Sequence, residues 1–408
     1  MKYINRGLEK QLERYIKVRE IMAVVGTRQC GKTTLINHFL DRLEKTGKKI
    51  ERISFDNMKV LQLFEEDIDT FIDRYVKGND LLFIDEVHYS KDSGKKLKYI
   101  YDLNYIKIII SGSSAAEISI NSLKYLVGRI FTFTLYPLMF KEFLSYKNPK
   151  LVNIFEKSKY KGTVIKELNV YLEEFLLYGG YPRVVLTEKI EEKKKVLESI
   201  YSTYLLKEIK EIFDLSEDYQ LNNLLKILSL QIGNIINYNE ISKSTGFSYN
   251  DLRKYLNILE KTYICCLIKP FYINKRTEIV KSPKVYFIDS GFRNVCIDNF
   301  TKERSDKGQL YENFIYSELL KKGIVAKYWN TKSYAEVDFI IEKDNRQIPI
   351  EIKSSLKEKK LTKSYISFIE KYKPKEGYYL SLDFEGIKKV KNSKIIFLPF
   401  LKFVNLYK

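Results

Sequence analysis

The chain has 408 residues, with 71 Lys and Arg against 52 Asp and Glu, a net charge of +19 at pH 7. Its 45% hydrophobic content, 32 Tyr and 24 Phe beside only 18 Gly and 8 Pro, exclude disorder and collagen, and the length predicts two to four domains because single cores stop growing at about 250–300 residues. The sequence has no apolar run near the roughly 18 residues that cross a bilayer, no CxxC among Cys30, Cys265, Cys266 and Cys296, and no histidine besides His38 and His88, so we expect a soluble cytoplasmic protein with no membrane association, disulfide or zinc finger.

In chain order, an amphipathic helix (Leu8, Leu12, Tyr15, Ile16) leads into the apolar run IMAVV at 21–25, then GTRQCGKTT, then LINHFL. This reads as strand, glycine-punctuated loop and helix. Gly26, Thr27, Arg28, Gln29, Cys30, Gly31, Lys32 and Thr33 match GxxxxGK[ST], with Thr34 next, and the strand and helix flanks are the context in which this motif binds nucleotide. Its glycines let backbone N–H groups turn around phosphate oxygens at a helix N-terminus. Lys32 is expected on the β- and γ-phosphates of ATP and the Thr33 hydroxyl on Mg²⁺. Cys30 is read as a small filler rather than as a reactive thiol.

Two more apolar runs, LLFIDE at 81–86 and YIKIIISGSS at 105–114, end in polar residues, so a parallel α/β sheet is predicted. Asp85 at a strand end is assigned to Mg²⁺ and Glu86 to the attacking water. Ser113 is a candidate to orient that water, and Arg129 a candidate to reach phosphate in cis or from a neighbouring subunit.

From about 138 to 215 the pattern turns to charged helices, read as a lid or connector. Residues 216–300 read as helix, short helix, turn at Thr245 and Gly246, helix, then an apolar strand, the spacing of a winged helix-turn-helix. Its last helix, from about Tyr249 to Lys261, presents Arg253, Lys254 and Lys261 away from Leu252, Leu256 and Leu259, and Lys269, Lys275 and Arg276 follow in the expected wing. DNA is the partner such a face would take, with Asp251 and Glu260 diluting its charge.

Beyond about 301 the order is helix, three strands, helix and two strands, with 23 Lys and Arg against 14 Asp and Glu. Asp338 and Glu351 fall on predicted strands, Lys353 shares a strand face with Glu351, and Glu312 lies on the preceding helix. Two carboxylates completed by Glu312 would bind Mg²⁺ while Lys353 held water or phosphate. This resembles the PD-(D/E)xK nuclease pattern.

The motifs GTRQCGKTT, ISFDN, LLFIDEVH, ISGSSA, LVGRIFTFTLYPLMFKEFL, GGYP, SPKVYFIDSGF, YENFIYSEL and AEVDFII together resemble a family of archaeal and bacterial AAA-type ATPases. The resemblance implies a P-loop NTPase core at 1–145, a helical lid at 146–215, a winged helix with its connecting strand at 216–300 and a restriction-endonuclease-like domain at 301–408. It also implies the roles given above to Lys32, Thr33, Asp85, Glu86, Ser113 and Arg129. His88 stands where the family usually carries Gln. Two functions follow as expectations: a DNA-associated ATPase with a nuclease-like domain, or an ATP-dependent switch or scaffold that binds a protein partner and whose nuclease-like domain is inactive. Oligomerisation stays open.

Overall fold

Alternation of side chains along the strands builds the first sheet. In β1 (Ile21–Gly26), Ile21, Ala23 and Val25 enter one apolar cluster with Ile84 and Ile110, while Met22 and Val24 enter another with Phe83 and Ile109. Both faces are therefore covered, and each fully buried aliphatic side chain contributes about 1.5–3 kcal/mol. A computed structural model describes residues 3–103, 106–112, 123–203, 209 and 218–407. The chain divides into two units, Met1–Leu138 with Lys261–Tyr263, and Met139–Glu260 with Ile264–Lys408.

In the first unit, α1 (Leu8–Tyr15), β1, α2 (Lys32–Glu44), β2 (Ile50–Ser54), α3 (Met58–Glu66), β3 (Leu81–Asp85), α4 (Ser93–Leu103), β4 (Lys107–Ser111) and β5 (Ile130–Leu135) succeed one another. Their sheet is parallel, in the order β2-β3-β4-β1-β5. Parallel pairing brings the carboxyl ends of β1, β3 and β4 to one edge.

The second unit begins with helices α5 (Phe140–Lys147), α6 (Pro149–Lys157), α7 (Thr163–Tyr178), α8 (Pro182–Leu186) and α9 (Ile190–Thr203). Three more, α10 (Asp218–Leu230), α11 (Tyr238–Thr245) and α12 (Tyr249–Lys261), precede an antiparallel pair, β6 (Cys265–Ile268) and β7 (Lys284–Phe287). Where an open wing loop is expected, Asn274 caps a short helix, α13 (Lys275–Val280), by accepting from the Arg276 N–H. Lys275 is drawn into ion pairs with Glu278 at 3.2 Å and Glu342 at 3.3 Å, so it is not a free wing cation.

The turn into α14 (Ser290–Cys296) is tied to the end of α7. Asp289 accepts from Gly180 N at 2.7 Å and Phe292 N at 2.9 Å, Ser290 donates to the Phe175 carbonyl, and Asn294 donates to the Leu176 and Leu177 carbonyls. A Cβ on Gly291 would overlap the Tyr178 carbonyl.

The last part of the chain comprises α15 (Lys307–Lys321), β8 (Ala326–Asn330), β9 (Glu336–Lys343), β10 (Arg346–Ile352), α16 (Lys363–Tyr372), β11 (Glu376–Ser381), β12 (Gly386–Val390), β13 (Ser393–Pro399) and α17 (Phe400–Leu406). The sheet order is β12-β13-β11-β10-β9-β8. Pairing is antiparallel through β8, β9 and β10 and parallel through β10, β11 and β13.

Candidate functional site

The loop after β1 is shaped by three unusual backbone conformations. Gly26 has φ 147°, and a Cβ there would overlap the Leu135 carbonyl oxygen, so glycine is what allows β1 and β5 to stay paired to their ends. Gln29 at φ 57° and Gly31 at φ 92° then turn the chain into α2. Leu35 N–H closes on the Gly31 carbonyl at 2.9 Å, and the amides of the first turn, which have no partner within the helix, form an anion cradle. Arg6, which sequence reading passes over, braces this loop by donating to the Cys30 carbonyl at 3.0 Å and the Tyr136 carbonyl at 2.5 Å. Cys30 is buried, its thiol 3.3 Å from the Leu135 carbonyl, which is the place of a filler.

Lys32 is buried and donates to the Gly26 carbonyl at 3.2 Å and the Thr27 carbonyl at 2.9 Å, so its ammonium lies inside the loop it would serve. The Thr33 hydroxyl donates to Asp85 Oδ2 at 2.8 Å, and the Ser111 hydroxyl donates to Oδ1 of the same carboxylate. Glu86 N–H adds a bond to Oδ1 at 3.1 Å. ATP with Mg²⁺ fits this set: Thr33 and Asp85 offer adjacent hard oxygens, Thr33 and Thr34 are exposed, and the buried Thr27 Oγ1 has no hydrogen-bond partner. Ser111 belongs to the site through Asp85. Its signal in the sequence is the polar residue closing an apolar strand.

Glu86 adopts a left-handed backbone, φ 52°, rare for a residue with a Cβ and a form of strain that concentrates at functional positions. Burial, then the neighbouring Asp85 charge, holds its carboxyl above the ordinary value, against Lys32 and Arg28. His88 Nδ1 lies 3.2 Å from Glu86 Oε2. Burial, helped by Arg28 and Lys32, pushes His88 down to about 4, so its imidazole is neutral at pH 7.

The unfolded chain therefore binds more protons than the folded one between pH 4 and 6.5. The penalty for burying His88 is absent above pH 6.5 and grows as pH falls toward 4, to about 3 kcal/mol. Denaturant titrations at pH 7 and 4.5 should show the wild type losing about 2–3 kcal/mol more than His88→Gln. Equal losses would mean that His88 is not held neutral.

The sheet carries Arg129 away from this edge. It immediately precedes β5, whose Ile130 pairs with Ile21, and its carbonyl accepts from Ile21 N at 2.8 Å, whereas Gly26 pairs with Leu135 at the other end. Five residues of strand, about 16 Å, separate the two ends. The Arg129 guanidinium instead forks onto Asp102, at 2.9 and 3.3 Å. The expected approach of Arg129 to phosphate in cis is thus corrected. Ser113 lies outside the described residues.

The second expected cluster is in the second unit. Asp338 and Glu351 stand opposite each other, one step beyond the Phe339–Ile350 pair of β9 and β10, and both are buried. Asp338 Oδ2 accepts from Ile352 N at 2.7 Å, Lys353 Nζ is 2.8 Å from Glu351 Oε1, and Glu351 Oε2 is buried without a hydrogen-bond partner. The Tyr286 hydroxyl donates to Glu312 at 3.2 Å. An unforeseen cation joins them: Lys284 of β7, buried and ion-paired with Glu336.

Burial, then Asp338, raises Glu312 well above the carboxylate range, and the same two causes push Glu351 up to about 8. Among the described residues, no group of three or more His, Cys, Asp or Glu is arranged to hold a metal ion. The expectation that Glu312, Asp338 and Glu351 share Mg²⁺ beside Lys353 is corrected on that ground. The donor set does not fit, because two ammonium groups, Lys353 on Glu351 and the buried Lys284 on Glu336, already supply the positive charge there.

Residues 18–144 match the family model described as an AAA domain. Over that stretch the first unit is similar to AAA domains, with its phosphate-loop motif between β1 and α2. Residues 169–303 and 307–401 match two further models, each described as a domain of unknown function. The chain is 28% identical over 387 residues to an uncharacterized protein of Methanocaldococcus jannaschii, covering 91% of this chain and 83% of that protein. It is 24% identical over 402 residues to an uncharacterized protein of Haemophilus influenzae, covering 93% and 96%. Among solved structures, the Aeropyrum pernix ORC2 protein is similar with a TM-score of 0.41 at 13% identity, over 65% of this chain and 88% of that one.

Beyond the residues similar to AAA domains, α12 exposes Arg253, Lys254, Asn257 and Lys261 while burying Leu252, Leu256 and Leu259. Its acids are turned to structural work. Asp251 accepts from the Ser248 hydroxyl at 2.6 Å at the helix start, and Glu260 accepts from Leu267 N at 3.1 Å in β6. Among the described residues no helix is long and apolar enough to cross a membrane.

Proposed function

We propose that the chain hydrolyses ATP in its AAA-type domain and contacts DNA through residues 218–287, acting as a winged helix. The observation that carries the first part is the meeting of Lys32, Thr33, Asp85 and Glu86 on one sheet edge. Lys32 would turn from its loop carbonyls to the β- and γ-phosphates, Thr33 and Asp85 would hold Mg²⁺, and Glu86 would orient the attacking water. Bound Mg²⁺ supplies neutralisation of phosphate charge. The purified full chain should release phosphate from ATP only when Mg²⁺ is present; turnover indifferent to Mg²⁺, or none, would overturn this reading.

Three helices followed by an antiparallel strand pair, with Ile235 bridged to Lys284, support the winged-helix reading. The order α15, β8 to β10, α16, β11 likewise supports a restriction-endonuclease-like reading of the last sheet. If Arg253 and Lys254 face phosphates, replacing both by Ala should weaken binding to any DNA duplex and reduce the slope of log K against log salt by about 2. A salt slope unchanged by the double substitution would remove α12 from the interface.

A further inference from the structure

We infer that Lys284 is the resident cation of the acidic cluster in the second unit, so that the nuclease-like sheet is closed by the chain's own ammonium and takes no divalent ion there. The inference depends on the nuclease-like reading only for which ion is displaced; the contacts of Lys284 stand without it. β7 fixes the backbone of Lys284 on both sides, through pairing with Ile268 and a bridge to Ile235. Its side chain is 2% exposed, its ammonium is ion-paired with Glu336, and the Tyr328 ring lies 5.4 Å away. Two residues on, and so on the same face of the strand, Tyr286 donates to Glu312. One strand thus delivers a cation and a hydrogen-bond donor to the same group of carboxylates.

Burial makes the pairing obligatory. An ammonium removed from water is tolerated only beside anions, and buried carboxylates are tolerated only beside cations or hydrogen-bond donors. Glu312, Glu336 and Asp338 all act electrostatically on Lys284, and Lys353 serves Glu351. A divalent ion among these carboxylates would sit against the Lys284 ammonium in a medium that screens repulsion poorly. Lysine and metal are therefore alternatives, and the Lys284 ammonium would have to leave Glu336 before a metal could enter.

The test uses the full chain without nucleotide and Mn²⁺ as the probe, with bound metal read by electron paramagnetic resonance and stability by melting. Lys284→Met should lower the melting temperature by roughly 10 °C. Millimolar Mn²⁺ should restore a large part of that loss in Lys284→Met but not in Lys284→Met/Asp338→Asn, and should leave the wild type unmoved. Mn²⁺ bound by the wild type and lost in Asp338→Asn would overturn the inference, as would a Lys284→Met chain that melts with the wild type.

Should Lys284→Met fail to fold, Lys284→Met/Glu336→Gln removes both members of the ion pair, one charge of each sign, and should recover a folded chain; failure to recover would sink the charge-balance argument. These readouts do not depend on ATP turnover. Mg²⁺-dependent DNA cleavage abolished by Asp338→Asn would instead establish the nuclease and refute Lys284 as occupant.

Discussion

Glu86→Gln should keep ATP binding and lower turnover by about 10²–10⁴-fold, the range for loss of a positioned general base. The amide keeps the shape of the carboxylate and leaves the Glu86 N–H on Asp85, so the Thr33–Asp85 pair survives. What disappears is the group held above its ordinary pKa by burial and by Asp85 beside His88. Lys32→Ala should fail one step earlier. The ammonium would vanish from a buried loop whose two carbonyls it now satisfies, and with it the charge proposed to meet phosphate. Fluorescent-nucleotide binding together with phosphate release separates the two effects. A Glu86→Gln variant with undiminished turnover would remove Glu86 from catalysis, and one unable to bind ATP would make it structural.

The phosphate loop is legible in the sequence because its chemistry requires fixed residue types at fixed spacing between a strand and a helix. Arg6 leaves no such trace: it lies outside the motif and braces the loop only after folding brings it to Cys30 and Tyr136. Arg129 shows the converse. Its place in the chain, just before a strand, suits either end of a sheet, and parallel register with β1 decides for the edge away from Gly26. The edge strands β2 and β12 carry Glu51 and Arg52, and Lys388 and Lys389, within short segments, so neither reads as an apolar run. Asp338, Glu351 and Lys353 do come together as strand alternation predicts. Lys284 changes their meaning, and no local pattern announces that a lysine 54 positions before Asp338 will be buried near it.

Asp289→Ala should destabilise the chain by about 3–5 kcal/mol, a loss expected when a buried hydrogen-bonded charge is removed. GGYP and SPKVYFIDSGF, two of the motifs that carry the family resemblance, are made two halves of a lock by the structure. The Asp289 carboxylate takes Gly180 N–H from one motif and Phe292 N–H from the other, and Gly179, at φ 72°, lies so close that a Cβ there would overlap the carboxylate. Burial raises the Asp289 pKa, while Lys321 and then these amides act to lower it. Truncation leaves both amides buried without acceptors and α14 without its cap. Asp289→Asn keeps one acceptor oxygen and should cost about half as much, near 2 kcal/mol. Chemical denaturation of the two variants checks the order. Two variants as stable as the wild type, with altered ATP turnover or DNA binding, would show that the motif pair is a functional site after all.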